Sequence, residues 1–177
     1  MAKLSVHGKA HLAHTDSTPF TWFVYGSSLD RSAFATWAAE HGHAVPDFGG
    51  AIAARLPGHR LAFDVRSRFW GGATASPVPA DGRAIEGLAL PLPGEARALV
   101  DHKEGAISGL YEPFEVEVTP LSGGPAVRAI AFRAAAARRL PAEEPPSPAF
   151  LETMIRGARQ AGLSPAWIAE LEAMRAG

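Results

Sequence analysis

Four short apolar runs separated by glycine or proline set the strongest limit on what this chain can fold into: AIAARL at 51–56, HRLAFDV at 59–65, FWGGATA at 69–75 and AIEGLALPL at 84–92. Each has the length of a strand, and Pro57-Gly58 and Asp81-Gly82 stand between them as breakers. So many breakers leave little room for a helix in the middle of the chain. A strongly curved antiparallel or mixed sheet is the arrangement these runs predict.

The flanks carry different patterns. Residues 1–19 mix polar, small and histidine residues up to Thr18-Pro19 and read as an N-terminal extension that adds an edge strand. Phe20 to Tyr25 is an aromatic, β-branched run ending at Gly26-Ser27-Ser28, after which Asp30 or Ser32 is a candidate cap for a helix carrying Phe34 and Trp37. Pro93 to His102 predicts a helix ending near Glu104-Gly105. Strands follow at Leu110–Val118, where Phe114, Val116 and Val118 alternate, and at Val127–Ala134. Ser147-Pro148 and Ser164-Pro165 each supply an N-cap and a first-turn proline for a closing helix. The first would bury Leu151, Met154, Ile155 and Ala158 and stop at Gly162; the second would bury Trp167, Ile168, Leu171 and Met174. Five to seven strands with inserted and C-terminal helices predict an α+β fold, a small curved barrel-like sheet with peripheral helices, in one domain over 20–177.

Composition excludes several functions. The 17 Lys and Arg against 18 Asp and Glu leave no basic surplus for a phosphate backbone, so nucleic acid is not an expected partner. Cysteine is absent, which removes disulfides, thiolate metal sites and a cysteine nucleophile. Neither a long apolar leader nor 18 consecutive apolar residues occurs, so a soluble, cytoplasmic protein without membrane contact is expected. The histidines His7, His11, His14, His41 and His43 lack the spacing and acidic company of a metal site. Arg66 and Arg68 read as surface residues, with a substrate carboxylate as the alternative partner of either, and Trp70 reads as a core aromatic, with a place in the pocket lining as the alternative.

Two segments have features that chemistry uses. In VYGSSLD a strand ends in glycine and two hydroxyl residues, a turn that aims backbone N–H groups outward, as a carboxylate or an oxyanion requires. It matches neither a GxSxG nucleophile elbow nor a phosphate loop, and taken alone it reads first as a plain strand-to-helix turn. In DHKEGAISGLY, Glu104 stands at a helix end between Lys103 and glycines that allow close backbone approach. A solvated helix-end charge is the alternative, and a helix C-terminus raises the pKa of a carboxylate placed there.

Taken together and in order, WFVYGSSL, FWGGATA, DHKEGAISGLYEPFEVEV and PPSPAFLETMIRGARQAGLSPAWIAEL resemble the landmarks of the γ-glutamyl cyclotransferase family, over about residues 20–174. The resemblance implies that fold and a cofactor- and metal-independent enzyme, which releases 5-oxoproline and an amino acid or amine from a small γ-glutamyl substrate. Carried across by position, it makes Glu104 the catalytic general base and acid. It makes Trp22, Phe23, Val24, Tyr25, Gly26, Ser27 and Ser28 the segment that binds the γ-glutamyl group, with Tyr111 beside it. Two departures stand out: Ser28 replaces an asparagine, and the tyrosine expected near Ile130 is missing, which implies a changed glutamyl pose or leaving-group side.

The same chemistry on γ-glutamyl amines or on a carrier-protein-tethered product is the nearest alternative. A non-catalytic small-ligand-binding module is the next, and a protein-interaction domain the last. A homodimer is a possible assembly.

Overall fold

The computed structural model describes residues 17–176. Residues 1–16, and with them His7, His11, His14 and most of the expected extension and edge strand, lie outside the described residues. Five strands form a closed barrel in the order β1-β3-β2-β4-β5, so the fold is the expected α+β class with the sheet closed on itself. The strands are β1 (Phe20–Val24), β2 (Ile52–Ser67), β3 (Gly72–Leu92), β4 (Tyr111–Pro120) and β5 (Val127–Ala134). Neighbours pair antiparallel except β1 with β5, which close the barrel in parallel at Trp22 and Ile130.

The four runs at 51–92 form two long bent strands instead of four short ones. Neither Pro57-Gly58 nor Asp81-Gly82 ends a strand: Pro57 pairs with Ala84 and His59 with Pro79, so residues 80–83 bulge out opposite Gly58. Gly58 (φ +70°) and Gly82 (φ +71°) take the left-handed conformation that this distortion needs. The bulge is largely exposed, so the ladder groups that proline leaves unpaired face solvent. A second bulge sets Phe63 and Asp64 against Ala75 alone. Breakers bend these strands because pairing on both sides of the bulge continues. FWGGATA is likewise only half a strand, since pairing starts at Gly72 and Phe69–Gly71 form a turn.

Helices α1 (Arg31–Glu40), α2 (Arg97–Lys103), α3 (Pro148–Gln160) and α4 (Pro165–Ala173) surround the barrel. Of the two candidate caps of α1, Asp30 is the one used; its Oδ1 accepts the N–H of Ala33 and its Oδ2 accepts Nε of Arg156 on α3. Ser147 and Ser164 cap α3 and α4 by accepting the N–H groups of Phe150 and Trp167. Leu151, Met154, Ile155 and Ala158 are buried on α3; Trp167 and Leu171 are buried on α4, with Ile168 and Met174 packed partly against the core. Among the described residues no helix is long and apolar enough to cross a membrane.

Glu86 on β3 is 4% exposed and fastens α4 to the barrel. Its carboxylate accepts the N–H and the hydroxyl of Ser164, each at 2.9 Å, and Nη2 of Arg55 at 3.0 Å. Arg55 is half exposed and rehydrates when its partner is removed, whereas the part-buried Ser164 N–H at the helix start loses its acceptor. Glu86→Ala is expected to cost about 1–3 kcal/mol, seen as a lower urea midpoint at an unchanged slope.

Candidate functional site

The chain leaves β1 at Val24 and enters a single 3₁₀ turn, Ser27–Leu29, before α1 begins. The turn cannot lift away from the barrel, because Gly157 of α3 lies against it: a Cβ there would sit 2.5 Å from both the Asp30 nitrogen and Leu29 Cβ. Close approach requires glycine at that position. The backbone N–H groups of Gly26, Ser27 and Ser28 have no backbone acceptor among the described residues, while those of Leu29 and Asp30 are used inside the turn.

Helix α2 delivers Glu104 to the same place. Glu104 closes the helix with its N–H on the Val100 carbonyl, and Gly105 (φ +75°) turns the chain away. The Ser28 hydroxyl donates to Oε1 of Glu104 at 3.0 Å across 76 positions of sequence. Burial pushes the Glu104 carboxyl above the ordinary range, while Lys103 and the Ser28 hydrogen bond pull it down. Desolvation is the largest of these influences.

Both segments line one cavity of about 410 Å³, with Tyr25, Gly26, Ser27 and Ser28 on one wall and Glu104 and Tyr111 beside them. The Tyr111 hydroxyl donates to the Ala75 carbonyl at 2.8 Å and is 2.8 Å from the Thr74 hydroxyl. The Tyr25 hydroxyl donates to the Phe132 carbonyl at 2.7 Å. Burial raises both phenols, with neighbouring negative charge adding to it, so each stays protonated as a positioned hydroxyl.

Three of the expected binding residues are not part of this cavity's lining. Trp22, Phe23 and Val24 are core residues, each at most 2% exposed. Trp22 packs edge-on against Phe34 of α1, and Phe23 lies behind Tyr25 on the face that the strand alternation gives both. They support the turn from beneath. Ile130 is absent from the lining too: it borders a separate open groove with Phe20, Pro91 and Glu115, so the missing tyrosine there takes no hydroxyl from the Glu104 cavity.

Other residues also enter the site. Trp70 packs partly against the core and also lines the cavity from the turn before β3, edge-on to Phe150 of α3. Ser147 holds that turn by donating to the Trp70 carbonyl at 2.6 Å, so the PPSP segment serves the site as well as the helix. His102 and His41 line the wall near Trp37; the His41 ring stacks on Trp37 at 4.5 Å, and His43 Nε2 is 2.9 Å from His102 Nδ1. Burial and the two neighbouring imidazoles lower the pKa of His102. Among the described residues no three His, Asp or Glu side chains converge as metal ligands. Arg66 pairs with Glu144 on the surface and Arg68 is exposed, and neither lines the cavity.

Residues 84–171, from the second half of β3 to α4, match the model of the AIG2-like family. Solved structures share the fold. A γ-glutamyl cyclotransferase superposes with a TM-score of 0.70 at 23% identity, covering 88% of each chain. An uncharacterized protein from Homo sapiens gives 0.70 at 24% identity, covering 88% of this chain and 87% of that one. YkqA from Bacillus subtilis gives 0.74 at 25% identity, covering 90% of this chain and 55% of its own length. No curated protein matches in sequence. The matched segment is thus AIG2-like, and the barrel is the γ-glutamyl cyclotransferase-like fold.

Proposed function

We propose that the protein is a γ-glutamyl cyclotransferase in which Glu104 moves the proton. The observation that carries this reading is the Glu104 carboxyl, raised in pKa by burial and held by Ser28 inside the cavity that the Tyr25–Ser28 turn lines. A carboxylate so placed is what an intramolecular aminolysis requires. The α-ammonium of the γ-glutamyl group loses a proton to Glu104, and the freed nitrogen attacks the γ-carbonyl carbon. The new C–N bond closes a five-membered ring, the proton passes from Glu104 to the leaving nitrogen as the old amide C–N bond breaks, and the ring nitrogen gives its second proton, through Glu104, to the departing amine, which leaves as an ammonium. The products are 5-oxoproline and an amino acid or amine.

Holding the glutamyl chain folded back on itself is most of the work. The N–H groups of Gly26, Ser27 and Ser28 suit the substrate α-carboxylate, next to an ammonium that faces Glu104. Proton exchange with an amine is better served by a carboxyl of raised pKa than by an ordinary one, because the two affinities come closer. The Ser28 side chain stands where the family has asparagine, and here its hydroxyl orients the base.

Chromatographic detection of 5-oxoproline from a set of γ-glutamyl compounds tests the reaction. The base must be ionised, so the rate is expected to fall as pH drops through the raised Glu104 pKa, placing the acid limb above the ordinary glutamate range. Ser28→Ala removes a hydrogen bond that favours the ionised form, so its acid limb is expected at higher pH than that of the wild type. A limb that stays in place in Ser28→Ala would separate Glu104 from the rate.

A further inference from the structure

Lys103 lines the cavity one residue before Glu104, and its charge has no carboxylate partner at ion-pair distance among the described residues. Its Nζ lies 5.1 Å from the Trp37 ring centroid and 5.9 Å from that of Phe34, and Glu104 is instead engaged by Ser28. Aromatic faces stabilise an ammonium only partly, and burial lowers the Lys103 pKa. A half-buried cation on a cavity wall is completed by an anion brought from outside.

The side of the cavity limits which anion that is. The turn and Glu104 suit the glutamyl carboxylate and ammonium, whereas Lys103 is grouped with Trp37, His41 and His102 on the wall that α1 and α2 share. One ammonium suits a carboxylate better than a phosphate, which calls for several donors. At the mouth, Phe69 is 66% exposed and Ile107 71% exposed, and both border the cavity without belonging to the core. Exposed apolar side chains at a cavity rim suit an apolar group of the ligand.

We propose that Lys103 is a specificity-determining residue, selecting γ-glutamyl amino acids over γ-glutamyl amines by holding the carboxylate of the leaving group. Phe69 and Ile107 then favour a large apolar side chain on that amino acid. This rests on the cyclotransferase reading above.

The test compares kcat/KM for 5-oxoproline release from γ-glutamyl-phenylalanine, γ-glutamyl-phenethylamine and γ-glutamyl-alanine, at a pH on the plateau of each rate profile. The second compound lacks only the leaving-group carboxylate and the third only the ring. The wild type is expected to prefer the phenylalanine compound over the phenethylamine one by about tenfold or more. Lys103→Gln and Lys103→Met are expected to cut that ratio at least about fivefold through KM, because the ratio cancels any effect of the lost charge on Glu104. Met keeps the apolar stem against Trp37, so the two variants separate charge from packing. Phe69→Ser with Ile107→Ser is expected to lower the phenylalanine-to-alanine ratio instead.

Equal wild-type rates with and without the carboxylate would overturn the inference, as would Lys103 variants that slow all three compounds alike. Either result leaves the cyclotransferase reading standing. Release of 5-oxoproline from none of the three by the wild type would overturn that reading, and the inference with it.

Discussion

Glu104→Gln is expected to slow 5-oxoproline release by about 10²–10⁴-fold while the protein stays folded. The amide is nearly isosteric with the carboxylate, and its oxygen still accepts the Ser28 hydroxyl that now binds Oε1 at 3.0 Å. What it cannot do is take a proton from an ammonium. Stability is expected to move in the opposite direction. A carboxyl whose pKa folding raises, as burial does here, is harder to ionise in the folded state than in the unfolded chain. It therefore costs stability as pH rises from the unfolded pKa through the folded one, and the full cost is present above the folded pKa. Replacing it with a neutral amide removes that cost, so Glu104→Gln is expected to melt at the same temperature as the wild type or slightly higher at pH 7. Thermal unfolding and product analysis on one preparation check both halves. An inactive variant that also melts much lower would mean that Glu104 supports the fold, and an active one would remove it from the reaction.

Gly157→Ala is expected to damage the fold and the site together. In a helix interior alanine gains about 1 kcal/mol over glycine, so on propensity alone the substitution in α3 would stabilise. Here the new methyl would be 2.5 Å from the Asp30 nitrogen, 2.5 Å from Leu29 Cβ and 2.6 Å from the Leu29 carbonyl carbon. Two of those three atoms are backbone, and the helix is tied to this region by Arg156 on Asp30. Overpacking of this kind costs about 1–3 kcal/mol and sometimes more, and backbone neighbours place it at the upper end. A net loss near 2 kcal/mol corresponds to a melting point lower by about 4–8 °C. Relief of the clash must push α3 or the Ser27–Leu29 turn outward, and the turn carries Ser28 away from Glu104. Activity is accordingly expected to fall more than the melting point alone explains. A variant as stable and active as the wild type would show that α3 does not hold the turn.

The parts of the fold legible in the sequence are those that neighbouring residues decide. Ser147-Pro148 and Ser164-Pro165 begin helices because a serine oxygen accepts the third N–H onward and proline at the first helical position has no N–H to satisfy. Val127–Ala134 is a strand with the expected limits, and Glu104 ends a helix as its following glycine predicts. Where the outcome depended on a partner strand, local reading failed. Pro57-Gly58 has the chemistry of a break, yet β3 continues alongside and absorbs the distortion as a bulge, so one long strand forms.

The same division runs through the site. Glu104 and the Gly26-Ser27-Ser28 turn could be singled out from motif order, because such segments keep their residues together along the chain. Trp22, Phe23 and Val24 belonged to the same motif, but strand alternation and α1 packing put them beneath the turn and outside the cavity. Ile130 was placed by alignment of a strand, and the barrel turned that position toward another groove. For Lys103 the sequence disclosed a charge beside the base and nothing of Trp37, which lies 66 positions earlier. Caps, turns and strand periodicity are short-range and could be read from the residues themselves. Which side chains met at the base of the cavity was decided by barrel closure, since only the register between distant strands and the seating of α1, α2 and α3 sets which face of each element looks inward.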